Sequence, residues 1–361
     1  MAIFTKSKKN LLISSEPAQW WAETWREGFF AGNGKIGANV YGGAEQERIL
    51  LNHAELYWQG RINVVPDISG KLREVRSLLA EKRLTEAEHC YPKALEQKNF
   101  HPQPLCPLPM CELCVSMPSK TYYRNYRREL DFESGEITVA FSNADTNFVR
   151  KLFVSRDCDA VVYEIRKDGA SVLDLDFTLQ LPNRMNAKTE GEDSILPEGT
   201  RFRYEKNGMF FASRNDNGAE YGLAAKVSAA GGTVAATDAG IRIRGASSVT
   251  LILKTFSEGF AEREWKRLFT ELESFRDSYD KLMKKHLPLY QKGWSHAKLE
   301  LQDDKNDDAT LEKLRMQVTD GKIPFKLTEK LWNYGRYLLW SGTAENEKIF
   351  APQGLWNGEY K

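Results

Sequence analysis

Between Glu27 and Gly60 the chain reads EGFFAGNGKIGANVYGGAEQERILLNHAELYWQG, a span dense in residues able to do chemistry. Gly32, Gly34 and Gly37 satisfy GxGxxG, the spacing that lets a turn approach a pyrophosphate when a helix starts among the glycines. With Val40 they also approach the GxGxxGxV of a protein-kinase loop, one place out of step. Asn52, Glu55 and Trp58 offer different chemistry: amide and carboxylate hydrogen bonds beside an indole face, the kit for holding a sugar. The structural alternative is Trp58 in a core and Asn52 capping a turn.

The elements around these residues decide between the readings. Ile36, Ala38 and Val40 alternate, Gly42-Gly43 makes a turn, and Arg48-Ile49-Leu50-Leu51 is a second apolar run. That pattern predicts a β-hairpin where a nucleotide site needs a helix N-terminus. The kinase reading also fails for want of HRD and DFG motifs downstream.

A chain of 361 residues exceeds one ordinary core and predicts two domains, or a large β unit with a helical piece. Its net charge of +1 gives no footprint for nucleic acid, and no apolar run is long enough to span a membrane. Leu11-Leu12-Ile13 is too short for a signal-peptide core, so a cytoplasmic chain is expected. Five cysteines, an odd number, do not form a disulfide framework. Cys111 and Cys114 make a C-x-x-C, with Cys106 and His101 near. No second pair stands at zinc-ligand spacing, so they read as small strand residues, and neither a metal nor a cofactor is expected.

Further along, residues 69–88 carry Leu72, Val75, Leu78 and Leu79 at helical spacing, then Leu84 and Ala87, and predict a helical hairpin. Four prolines between 102 and 109 require extended or turn backbone. From Tyr122 to about Phe256 short alternating or apolar runs alternate with Gly, Asn and Asp turns. These predict a large antiparallel two-sheet sandwich. Within it Arg127, Arg128, Glu129 and Asp131 read as a cross-strand charge network on a solvated face. The period changes at Gly259. Trp265, Leu268, Phe269, Leu272, Phe275, Tyr279, Leu282 and Met283 predict one long amphipathic helix. Leu327 to Trp340 predicts another, with Thr328 as its N-cap.

The ordered set Gly32-Asn33-Gly34, Gly37 to Gly43, Glu47 to Asn52 and Leu56 to Gly60 resembles the opening of glycoside hydrolase family 95. That family holds 1,2-α-L-fucosidases and related α-L-galactosidases, and it typically reads GNGxLGAxVxGG then ERIxLNExxLWSG. His53 and Gln59 stand where the family has Glu and Ser. The resemblance continues through Arg128-Glu129-Leu130-Asp131, through His286, Tyr290 and Trp294, and through Gly335-Arg336-Tyr337-Leu338-Leu339. It ends at the QGLWN loop, Gln353 to Asn357. Between the last two the family has SSRPG and PANL, where this chain has Ser341-Gly342-Thr343 and Phe350-Ala351-Pro352.

The resemblance implies a mainly β chain with C-terminal helices: a β-supersandwich over 1–258, a helical linker over 259–302, and over 303–361 the start of an (α/α)6 barrel. It implies inverting hydrolysis of α-L-fucosides or α-L-galactosides, with a carbohydrate substrate and the rest of the barrel as partners. The acid Glu and the water-handling Asn and Asp of the family follow the QGLWN loop. No residue of this chain therefore inherits a catalytic role, and residues 1–361 alone are expected to be inactive. Asn52, Glu55, Trp58, Gln353, Trp356 and Asn357 remain as substrate-binding candidates. The rival class is a non-catalytic carbohydrate-binding or structural β-sandwich module.

Overall fold

The computed structural model describes residues 10–18, 24–58, 66–100, 106–117, 122–182, 199–215, 217–301, 308–318, 322–344 and 354–358. The strands, in chain order, are β1 Leu11–Ser14, β2 Phe29–Gly32, β3 Ile36–Val40, β4 Gln46–His53, β5 Tyr57–Trp58, β6 Cys106–Pro107, β7 Cys111–Ser116, β8 Tyr123–Asp131 and β9 Glu136–Asn143. They continue as β10 Thr146–Ser155, β11 Ala160–Asp168, β12 Leu173–Gln180, β13 Arg201–Glu205, β14 Gly208–Arg214, β15 Glu220–Ala230, β16 Thr233–Thr237, β17 Gly240–Ala246 and β18 Ser248–Gly259. The helices are α1 Thr24–Glu27, α2 Leu72–Ala80, α3 Leu84–Glu96, α4 Ala261–Ser274, α5 Tyr279–Trp294, α6 Leu311–Met316 and α7 Phe325–Ser341.

One sheet has nine strands in the order β1-β8-β9-β10-β11-β18-β15-β14-β13, and a second has seven in the order β16-β17-β12-β7-β4-β3-β2. Pairing is antiparallel throughout both, as the turn-separated apolar runs predict. Val161, Tyr163 and Ile165 point into the space between the sheets. Their neighbour Val162 instead joins Phe210, Ala224, Ile252 and Phe256 under the helices. The larger sheet is thus covered on both faces, which is why β14 is buried almost end to end rather than alternately.

Residues 58–106 form a separate compact unit. Its two helices, α2 and α3, are the predicted hairpin, with α3 running on to Glu96, well past residue 88. Lys82, at φ 61°, takes the left-handed turn between them.

Two expectations about the helices need correction. The single long helix after Gly259 is two, α4 and α5, interrupted at residues 275–278. Phe275 is extended there, and Ser278 takes the extended backbone of an N-cap position, so the apolar spacing continues across a break in the helix. Thr328 does not cap α7, whose first turn begins after Pro324 and leaves Thr328 inside the helix.

The charge cluster on β8 is not solvated either. Arg128, Glu129 and Asp131 are buried, because β1 pairs along β8 and removes it from the sheet edge. The guanidinium of Arg128 donates to the carbonyls of Glu27, Val40 and Tyr41 and lies 4.2 Å over the ring of Phe29. A second buried cation works the same way. Arg150 donates to the carbonyls of Gly43 and Ala44, while the carboxylate of Glu47, 3.6 Å away, accepts from the amides of Gly42 and Arg48. Burial pushes the Glu47 carboxyl up and the Arg150 charge opposes it. Glu47 therefore secures the Gly42-Gly43 turn and is spent as a structural group.

Candidate functional site

The glycine motif turns out to be a floor. Strands β2 and β3 put Gly32 directly opposite Gly37, and β3 and β4 put Gly37 directly opposite Asn52. Three adjacent strands thus present two side-chain-free positions and one amide in a row. Residues 354–358 lie on that row. A Cβ on Gly32 would sit 2.9 Å from the indole of Trp356, and one on Gly37 would sit 3.1 Å from the Cβ of Leu355. Gly32 has no room for a side chain, its Cβ falling 2.6 Å from Ser341 O, and Gly37 is tight, so these glycines serve close approach rather than phosphate. Gly34, at φ +87°, is required twice over: its Cβ would fall 2.2 Å from the backbone of Thr343.

The end of α7 is drawn to the same hairpin. The amide of Gly34 donates to Ser341 O at 2.9 Å, and the hydroxyl of Tyr337 donates to Phe30 O at 2.7 Å. Arg156, in the turn between β10 and β11, donates to Trp340 O at 2.6 Å and Thr343 O at 3.1 Å. Its guanidinium also lies 4.1 Å over the Trp340 ring. A cation on the last carbonyls of a helix meets the negative end of its dipole. Arg156 did not stand out in sequence, and Asn33 did so only as a turn residue in Gly32-Asn33-Gly34. Asn33 ties the hairpin to the other sheet by donating to Ser155 O and to Asp159, both at 2.9 Å, while its Oδ1 accepts from the amides of Lys35 and Ile36. The Asn between two glycines was the available signal.

Three of the six candidate residues come together. Asn52 donates through Nδ2 to Leu355 O and, at 2.8 Å, to Asn357 O. Asn357 in turn donates to Pro107 O, and the indole N–H of Trp356 donates to Leu338 O at 3.3 Å. Trp356 also packs 4.9 Å from the ring of Phe30. Glu55 stands apart and exposed, accepting from the hydroxyl of Ser257 at 3.1 Å. Trp58 is in β5, with its side chain outside the described residues, and Gln353 lies outside them altogether. Cys111 and Cys114, three apart on β7, point to opposite faces of one strand, with burial pushing the Cys114 thiol up to about 12.

What this arrangement does is join a sandwich to a helix and the loop that follows it, and the comparisons with known proteins divide at the same place. Residues 12–260 match the family model "Glycosyl hydrolase family 65, N-terminal domain", and residues 278–361 match "Glycosyl hydrolase family 95 catalytic domain". The chain belongs, by its β part, to the glycosyl hydrolase family 65 N-terminal domain family, and its C-terminal part is similar to the family 95 catalytic domain. "Alpha-L-fucosidase 2" of Arabidopsis thaliana is 26% identical over 93% of this chain and 43% of its own length. "Probable alpha-fucosidase A" of Aspergillus oryzae is 22% identical over 96% of this chain and 49% of its own. The chain spans about half the length of these curated relatives. A solved structure named "Putative kojibiose phosphorylase from human microbiome" shares the fold at TM-score 0.51 and 11% identity, over 93% of this chain and 43% of that one. The two matches meet across the join: α7 and residues 354–358 fall within the catalytic-domain match, and the glycine row within the N-terminal match.

Proposed function

We propose that this chain is the β domain and opening barrel segment of an inverting glycoside hydrolase acting on α-L-fucosides or α-L-galactosides of oligo- or polysaccharides. On this reading residues 1–258 are the β-supersandwich, 259–302 the linker and 303–361 the start of the (α/α)6 barrel. The observation that carries it is the seating of Leu355, Trp356 and Asn357 on Gly32, Gly37 and Asn52, a junction built for a barrel to grow from. The names of the two relatives, aligned across both matched domains, supply the substrate class.

Inverting hydrolysis needs a general acid and a base-activated water held on opposite faces of the sugar. The reading assigns both to segments that follow residue 361 in a longer chain. Of the six candidates Glu55, Trp58, Gln353 and Trp356 are the proposed substrate contacts, while Asn52 and Asn357 hold the loop. The test compares residues 1–361 with a version extended through a complete barrel, on aryl α-L-fucoside and α-L-galactoside. Turnover is expected from the extended chain alone. Turnover by residues 1–361 that vanishes in Glu55→Gln would show that the active site lies in the sandwich.

A further inference from the structure

We infer that Asn52 is a positioning residue: it clasps the loop at residues 355–357 and holds it in place for the barrel, and it does not contact the sugar. Both N–H bonds of its Nδ2 are committed, one to Leu355 O and one to Asn357 O, across 303 and 305 residues of chain. The side chain is 6% exposed, and its Oδ1 is buried with no partner among the described residues. No donor is left to offer a ligand hydroxyl, and the acceptor is turned inward. The orientation of the amide is fixed by chemistry, since two carbonyl oxygens can be met only by the NH2 end. The clasp has the chain's geometry behind it as well. Gly32 and Gly37 strip two neighbouring strands of side chains, so that Leu355 and Trp356 come down to the height at which Asn52 reaches the carbonyls of Leu355 and Asn357.

An amide that positions and an amide that binds sugar answer differently to Asn52→Asp. A carboxylate accepts sugar hydroxyls well, so a contact residue tolerates Asp. A clasp does not, because Asp turns an oxygen toward each of two carbonyls and removes both bonds. In residues 1–361, chymotrypsin cleavage after Leu355 and Trp356, read by mass spectrometry, is expected to run about tenfold faster in Asn52→Asp and Asn52→Ala than in the unchanged chain. Cleavage after Phe153 and Tyr163, in the sheet, stays at its original rate. Unchanged cleavage at the loop overturns the inference. So does melting of the whole sandwich by both variants, which would make Asn52 a core residue.

The catalytic half of the inference rests on the proposed function and is tested in the extended chain. There Asn52→Asp is expected to lower kcat about tenfold with KM within about twofold, since a displaced loop misplaces the reacting groups without removing a substrate contact. A raised KM with kcat intact would assign Asn52 to the sugar. An extended chain with no turnover at all would sink the substrate reading, while the cleavage measurement would still decide the clasp.

Discussion

Helix α4 turns Trp265, Leu268 and Leu272 onto the nine-stranded sheet, whereas α7 turns Lys326, Glu329, Lys330 and Asn333 inward and leaves Leu331 and Leu339 59% and 54% exposed. Both are amphipathic, but α7 buries a polar stripe beside Leu327 and Tyr337, the latter packed on Phe132 and Trp294. On α4 the contact is ordinary hydrophobic burial, with the indole N–H of Trp265 satisfied at 3.0 Å by Phe211 O. On α7 the buried Lys and Glu side chains reach main chain or a partner, while Asn333 Oδ1 has no partner among the described residues. Lys326 pairs with Glu329 at 2.6 Å, Glu329 accepts from Leu301 N at 2.9 Å, and Lys330 donates to Leu11 O. A helix can therefore be fixed to a sandwich by hydrogen bonds as well as by buried rings, with Leu331 and Leu339 left outward. Burying polar groups is tolerable only when they are paired, and Lys326, Glu329 and Lys330 meet that condition.

The largest effect should come from the hydrophobic side of the comparison. Trp265 is 1% exposed and sits among Phe210, Leu268 and the guanidinium of Arg203, 4.6 Å from its ring. Trp265→Ala removes that packing and leaves a cavity, and is expected to cost about 3–5 kcal/mol in urea unfolding. A loss under about 1 kcal/mol would mean that α4 merely rests on the sheet.

Acid should weaken α5 next. His286 is buried against β10 and the turn after β8, where its Nε2–H donates to Ser134 O at 3.0 Å and its Nδ1 accepts from Arg156 N at 3.1 Å. Burial, with the Arg156 charge adding to it, holds the imidazole down to about 4 from an ordinary 6.5. Between those values the unfolded chain binds a proton that the folded chain refuses. The contribution is complete above pH 6.5 and is lost as pH falls toward 4, by about 3 kcal/mol. Urea midpoints of the original chain and His286→Gln, taken at pH 7, 5.5 and 4.5, should converge toward acid. Parallel curves would show that His286 titrates normally.

Arg156 joins α5 to α7, since its backbone holds His286 and its side chain holds the end of α7. Arg156→Met removes charge-assisted bonds to Trp340 O and Thr343 O and is expected to cost about 2 kcal/mol. Amide exchange should quicken in the last turn of α7 before anything else opens. Uniform loss of protection would place Arg156 in the global core.

How much of this was legible in the sequence depended on whether a signal was local. The Gly42-Gly43 hairpin, the period-2 runs of β9, β10 and β11, and the change of period after Gly259 were readable because each rests on neighbours in the chain. The break between α4 and α5 was hidden because Phe275, Tyr279 and Leu282 keep helical spacing across it. The burial of Arg128 was hidden because nothing near it announces that β1, more than a hundred residues earlier, lies alongside. At the site, the three glycines were visible but their use was not. The GxGxxG spacing sets Gly32 opposite Gly37 only once β2 and β3 are paired, and the loop they receive is more than 300 residues away.

The smallest effect belongs to the outward side of α7, and it sharpens the comparison most. Leu331 and Leu339 touch little in this chain, so Leu331→Lys with Leu339→Lys should change its stability by no more than about 0.5 kcal/mol. Binding of a hydrophobic dye should fall, because exposed apolar surface has been removed. The same double change in a chain extended through the barrel should cost several kcal/mol, for it would then force two ammonium groups into a helix–helix contact. Equal and small effects in both chains would mean that the outward face of α7 stays in water whatever follows it. The polar attachment to the sandwich would then be the whole of what that helix does.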